Sequence, residues 1–185
     1  MKPINWKNIA AYAGIVLLFA LAAAVYFWPS LQGKVIYAVD SINAKAAVHE
    51  SATYHQSGGN TFWTGSMFSG MPNYQIGGGE TVSSTILRPL RRLAFLGPKV
   101  SFFIFLFYLL AFFALLRSFG IDKWLSVAGA FAIAMSSYFF VIIAAQHGGK
   151  TISITWMMPV VIGFYMTYRK RYWLGALLIM FFIPI

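Results

Sequence analysis

Residues Ile9 to Trp28 read IAAYAGIVLLFALAAAVYFW, twenty residues without a charge, preceded by Lys2 and Lys7 and followed by Pro29. An α-helix of that length spans about 30 Å, the thickness of a bilayer's hydrocarbon core. The run exceeds a secretory h-region, and bulky Tyr26, Phe27 and Trp28 follow its small residues. It therefore reads as an uncleaved first span with an aromatic end at headgroup level. Three more runs repeat the pattern, at about 100–116, 124–145 and 152–168. A fifth, 173–185, has 13 residues and reaches the last residue given, so it reads as a truncated span. The fold class expected is all-α, a polytopic transmembrane helix bundle. A long loop at 29–99 separates the first two spans and carries interfacial helices.

Composition agrees. Of 185 residues, 59% are hydrophobic and 10% charged, against roughly 25% charged in soluble domains. The net charge of +10 is built from Lys and Arg beside the apolar runs. That placement favours lipid phosphates over nucleic acid. There is no cysteine, which excludes disulfides, thiolate nucleophiles and Cys-based zinc sites. With the N-terminus cytoplasmic, Lys2, Lys7, Arg117, Lys123, Arg169, Lys170 and Arg171 all lie inside, and among the short segments only Lys150 lies outside. The long loop is then extracytoplasmic.

Within that loop, Asp40 to about His55 has neither Gly nor Pro and reads as a helix, ended by Gly58-Gly59-Asn60. Phe62 to Tyr74 is aromatic, Gly-rich and uncharged. Ser83 to Phe95 has the pattern of an amphipathic surface helix, with Leu87, Leu90 and Ala94 on one side and Arg88, Arg91 and Arg92 on another.

Each candidate group has a bland reading beside a chemical one. Asp40 suits general base work, but from the residues alone a helix N-cap is the stronger reading. Along one straight helix, Asp40 and Glu50 would stand about 15 Å apart. That is too far for a glycosidase pair, whose carboxylates sit about 5–9.5 Å apart. Either one carboxylate acts alone or the helix is broken between them. His147 and Lys150 flank Gly148-Gly149 in a stretch that suits a phosphate or an ordinary interfacial turn. Arg88, Arg91 and Arg92 suit a lipid-linked phosphate, or more simply anionic headgroups. Trp63, Phe68 and Tyr74 suit sugar stacking or an interfacial plug. His49, His55 and His147 show no HxH or HxxxH spacing.

Three segments together resemble the YfhO-like family of bacterial membrane proteins, in the GT-C superfamily of glycosyltransferases. Phe62 to Ile76, FWTGSMFSGMPNYQI, is similar to the family's Trp…Met-Phe-Ser-Gly-Met-Pro-x-Tyr-Gln-Ile pattern. Ser136-Ser137-Tyr138-Phe139 with Ala145, His147 and Lys150 is similar to its Ser-Ser-Tyr-Phe…Ala-x-His-x-x-Lys stretch, and Asp40 with Glu50 matches its spacing. The chain departs from the family at Ala144-Ala145-Gln146, where an acidic residue is usual, and at Gly148, where Asn is usual. The family's proteins run several hundred residues longer, so the chain resembles their N-terminal part.

The resemblance implies sugar transfer from a polyprenyl-phosphate carrier to a cell-envelope acceptor glycan, on the outer face of a bacterial cytoplasmic membrane. Asp40 would be the general base or the ligand of a divalent metal ion. Glu50, Trp63, Tyr74, Arg88, Arg91, Arg92, His147 and Lys150 would contact substrate. A membrane partner would supply missing spans. The rival expectations are a non-enzymatic membrane subunit, scaffold or lipid-linked substrate transporter, or an inactive fragment.

Overall fold

The computed structural model describes residues 6–34, 39–59, 61–73, 101–145 and 147–183. Its regular structure is helical apart from one two-residue strand pair. In chain order the elements are α1 (Trp6–Tyr26), α2 (Trp28–Leu31), α3 (Val39–Ala47), α4 (His49–Gln56), β1 (Trp63–Thr64) and β2 (Met71–Pro72). They continue with α5 (Ser101–Ser118), α6 (Lys123–Ala134), α7 (Ser137–Ala144), α8 (Gly148–Tyr168) and α9 (Tyr172–Phe182). Among the described residues, three helices are long and apolar enough to cross a membrane: α1, α5 and α8. The pair α6–α7 reaches that length only as a unit, bent by 49°.

The exposed surface shows which solvent these helices suit. In α1 only Ile15, Phe19 and Ala23 are buried, at four-residue spacing, and Phe27 extends the stripe. Val16, Leu17, Leu18, Leu21 and Val25 on its other sides are exposed. A helix apolar all round needs an apolar surrounding, and lipid provides it.

At the centre of the bundle is α5. It packs against α1, α2, α6 and α8, and it buries Phe105, Tyr108, Leu109, Ala111, Phe113 and Leu115. Ring contacts fix the order of levels. Tyr12 and Phe19 of α1 meet Phe113, while Tyr26 and Phe27 meet Phe105, so α1 and α5 are antiparallel. Phe19 also meets Phe131 of α6, and Tyr26 stacks on Phe140 of α7 at 5.0 Å. The bent pair therefore advances from mid-bundle to the Tyr26 end without turning back. Tyr108 stacks flat on Phe139 just past the bend, with ring centroids 4.0 Å apart.

The expected continuous span at 124–145 is thus interrupted. Met135 closes α6, and Ser136 (φ −63°, ψ 138°) opens α7 with no side-chain cap. No Gly or Pro marks the break, but the Ser136-Ser137 pair offers the polar side chains that commonly accompany sharp kinks. The other end of the bundle is closed by short turns. Asp122 caps α6 by accepting from the N–H groups of Trp124 (2.8 Å) and Leu125 (3.3 Å). Those bonds, the Trp124 one first, hold its carboxyl below the usual range. Asp122 is exposed to solvent and starts the helix. Arg117 donates to the Ile121 carbonyl across the same turn.

A tight hairpin joins α8 and α9. A Cβ on Gly163 would stand 3.0 Å from the Gly175 carbonyl oxygen, and one on Gly175 would stand 2.7 Å from that of Gly163. Only two residues without side chains allow that approach. The short α9 leans on α5 as well, where Phe182 stacks on Phe107.

Candidate functional site

The sequence expects one helix from Asp40 to His55. The structure forms two, α3 and α4, interrupted at Val48 (φ −88°, ψ −1°). The break falls between Asp40 and Glu50, so the straight-helix separation does not apply. Asp40 stands in the first turn of α3; its side chain lies outside the described part. Tyr74, Arg88, Arg91 and Arg92 lie outside the described residues altogether, as does the surface helix expected at Ser83–Phe95.

Glu50, in the first turn of α4, holds the following aromatic segment in place. Its Oε2 accepts from the Thr64 hydroxyl at 2.5 Å and from the Gly65 N–H at 2.8 Å. These two bonds, the Thr64 hydroxyl first, pull the Glu50 carboxyl below the usual carboxylate range. Ser66 Oγ lies 2.8 Å from Thr64 Oγ1 and 2.9 Å from the Ala47 carbonyl oxygen, within reach of the α3–α4 junction. Thr64 and Ser51 are buried at this contact. One carboxylate oxygen and two hydroxyls thus tie a segment some fifteen residues downstream to the start of α4.

The tied segment is a hairpin. β1 pairs with β2 antiparallel, Trp63 opposite Pro72 and Thr64 opposite Met71. Asn73 closes its base, its N–H donating to the Phe62 carbonyl (2.9 Å) and its side-chain amide to the Thr61 carbonyl (2.9 Å). At the tip, the Gly70 N–H donates to the Met67 carbonyl (2.8 Å), with Phe68 and Ser69 between them at φ 52° and 59°. Positive φ at both central residues is the pattern of a type I′ turn, which strongly favours Asn-Gly or Gly-Gly. A non-glycine residue held there costs about 1–3 kcal/mol. Gly70 (φ 123°) sits under the Trp63 indole, where a Cβ would come within 2.6 Å of Nε1. Despite these restraints three rings face outward: Phe62 is 86% exposed, Phe68 82% and Trp63 58%.

His147 and Lys150 stand elsewhere, at the start of α8. The glycine stretch expected to be a turn is already helical from Gly148, and His147 is the N-cap position. The His147 carbonyl accepts from the Thr151 N–H (2.9 Å) and hydroxyl (3.0 Å). His147 and Lys150 are both exposed. Of the expected site residues, the structure therefore brings Glu50 and the strand of Trp63 together, with Glu50 as a hydrogen-bond acceptor within the fold. His147 and Lys150 share a different element. Among the described residues no group of three His, Asp or Glu side chains is gathered as a metal site would need.

Sequence reasoning missed Thr64, Gly65, Ser66 and Gly70. The signal for the first three was the small, polar Thr-Gly-Ser island inside an otherwise aromatic stretch, and Gly70 stood in the Ser-Gly-Met-Pro part of the quoted motif. Comparison with models of known families, with curated proteins and with solved structures finds no match.

Proposed function

We propose that this chain is the N-terminal part of a YfhO-like, GT-C-type glycosyltransferase of the bacterial cytoplasmic membrane. It takes sugar from polyprenyl phosphate on the outer face, with its N-terminus in the cytoplasm. The observation that supports this reading most is the Glu50 clasp. Two segments that carry the family resemblance, the Asp40–Glu50 helices and the Trp63–Pro72 motif, are hydrogen-bonded into one unit. That unit connects to a bundle of apolar helices.

In this reading the acceptor hydroxyl attacks the anomeric carbon, the bond to the polyprenyl phosphate breaks, and Asp40 takes the hydroxyl proton. Arg88, Arg91, Arg92 and Lys150 stabilise charge on the departing phosphate. Trp63 and Tyr74 stack on sugar faces. Glu50, which the resemblance places among the substrate contacts, also holds the strand of Trp63 in position. The test is transfer of radiolabelled sugar from the lipid carrier in native membranes containing the protein, compared with membranes carrying Asp40→Asn. Loss of transfer at an unchanged protein level is the expected result. Unchanged transfer refutes the assignment of Asp40 and leaves the non-enzymatic subunit as the better reading.

A further inference from the structure

We infer that the 61–73 hairpin is a bilayer-interface anchor, which sets Phe68 at the boundary between headgroups and acyl chains. The starting point is the turn itself. Phe68 and Ser69 both have positive φ, at positions that glycine or asparagine fills without strain. Backbone geometry gives no reason to place phenylalanine there. Hence the ring is the reason, and the ring is 82% exposed.

The surroundings hold that ring outward. The Glu50 bonds to Thr64 and Gly65 fix one strand, the Asn73 bonds fix the base, and Trp63 packs over Gly70 behind the tip. No residue from 61 to 73 carries a charge, while Lys45, His49 and His55 lie exposed on the two helices that hold the hairpin. The unit therefore joins an uncharged aromatic hairpin to two helices whose exposed side chains include those three beside Ile42 and Tyr54. That combination suits a boundary between lipid and water, where aromatic rings with one polar and one apolar side collect.

The chain also keeps this edge near a bilayer. α2 packs against α1 and α5 at the Tyr26 end of the bundle. The five residue-to-residue steps from Lys34 to Val39 reach at most about 18 Å, and α3 adds about 13 Å to the junction that holds the hairpin. The junction that holds the hairpin thus stays within roughly 30 Å of Lys34, three residues past the end of α2. A rigid, uncharged edge tethered this close to lipid meets the membrane surface before any other apolar phase. The inference is independent of the glycosyltransferase reading, since it needs only the bilayer.

The absence of cysteine makes the test clean. Phe68→Cys, labelled with an environment-sensitive fluorophore, is measured with the full chain in nanodiscs. The quenchers are a headgroup-proximal spin-labelled lipid and aqueous iodide. Val25→Cys on the exposed side of α1 is the lipid control, and Ala52→Cys on α4 is the water control. Phe62→Cys gives a second reading in case the cysteine at 68 disturbs the turn. The expected result is a blue-shifted emission at 68 with loss of intensity to the lipid quencher comparable to position 25, and little loss to iodide. Iodide quenching at 68 and 62 like that at 52 overturns the inference. Shielding of both positions from both quenchers overturns it too, because the hairpin would then be covered by protein.

Discussion

Replacing Gly175 with alanine puts a methyl group where the helix hairpin has no room. The new Cβ would lie 2.1 Å from Thr167 Oγ1, 2.7 Å from the Gly163 carbonyl oxygen and 2.9 Å from the Thr167 nitrogen. Thr167 could rotate its hydroxyl away, at the cost of its 3.0 Å bond to Gly163. The two backbone atoms cannot rotate away, so α8 and α9 must separate by several tenths of an ångström. A gap of about 0.5–1 Å forfeits a quarter to a half of each dispersion contact it opens. Between lipid-facing helices, such packing is most of what holds them together. The expected loss is about 1–3 kcal/mol, the usual cost of an overpacked contact. Gly14→Ala is the matched control, since a Cβ there meets nothing within 4 Å; it should be neutral or gain up to about 1 kcal/mol from helix propensity. Unfolding by sodium dodecyl sulfate in mixed micelles, followed by circular dichroism, compares the two. Equal stability of Gly175→Ala and Gly14→Ala would refute the close crossing.

Three further outcomes are expected. Because Glu50's folded carboxyl is depressed, the clasp contributes stability that is complete above the ordinary carboxylate pKa and disappears as pH falls through the lowered value. Protection of the Gly65 amide, taken relative to its intrinsic exchange rate at each pH, should therefore fall in acid, and Glu50→Gln should show lower protection at neutral pH and lose that acid dependence; an unchanged protection profile would count against the clasp. Asp122→Ala should lower the melting temperature while Asp122→Asn largely preserves it, since asparagine keeps a capping oxygen; equal losses would assign the effect to charge. Gly70→Ala should release the Trp63 indole, read as faster exchange at Gly65 and Asn73, whereas Gly59→Ala, where a Cβ meets only the Tyr54 carbonyl oxygen at 3.6 Å, should leave those amides unchanged.

The long spans were legible because hydropathy and length alone decide them. Ile9–Trp28 and Val100–Leu116 differ from α1 and α5 only at their ends. The bend at Met135–Ser136 was not legible, since two serines barely lower the hydropathy of a 22-residue run and neither residue forbids a helix. The α3–α4 interruption at Val48 was equally hidden, because no Gly or Pro marks it. The hairpin lay beyond a local reading for a different reason. Its strands are two residues each, and what fixes them is a carboxylate fourteen residues upstream of Thr64. That same long-range bond makes Glu50 a support for the strand of Trp63, a role no local pattern displays. At His147–Lys150 the two glycines suggested a turn, yet the helix starts at Gly148.

The account turns on how many times the chain crosses the bilayer between the clasped hairpin and the basic Arg169-Lys170-Arg171 turn. With α5, the bent α6–α7 pair and α8 each crossing once, those two regions lie on opposite faces. Single cysteines at exposed His55 and exposed Arg169, probed in intact and then permeabilised cells with a membrane-impermeant maleimide, decide the matter. The account predicts that position 55 labels in intact cells and position 169 only after permeabilisation. Labelling of both positions from the same side would contradict it, because α6–α7 would then enter and leave through one face.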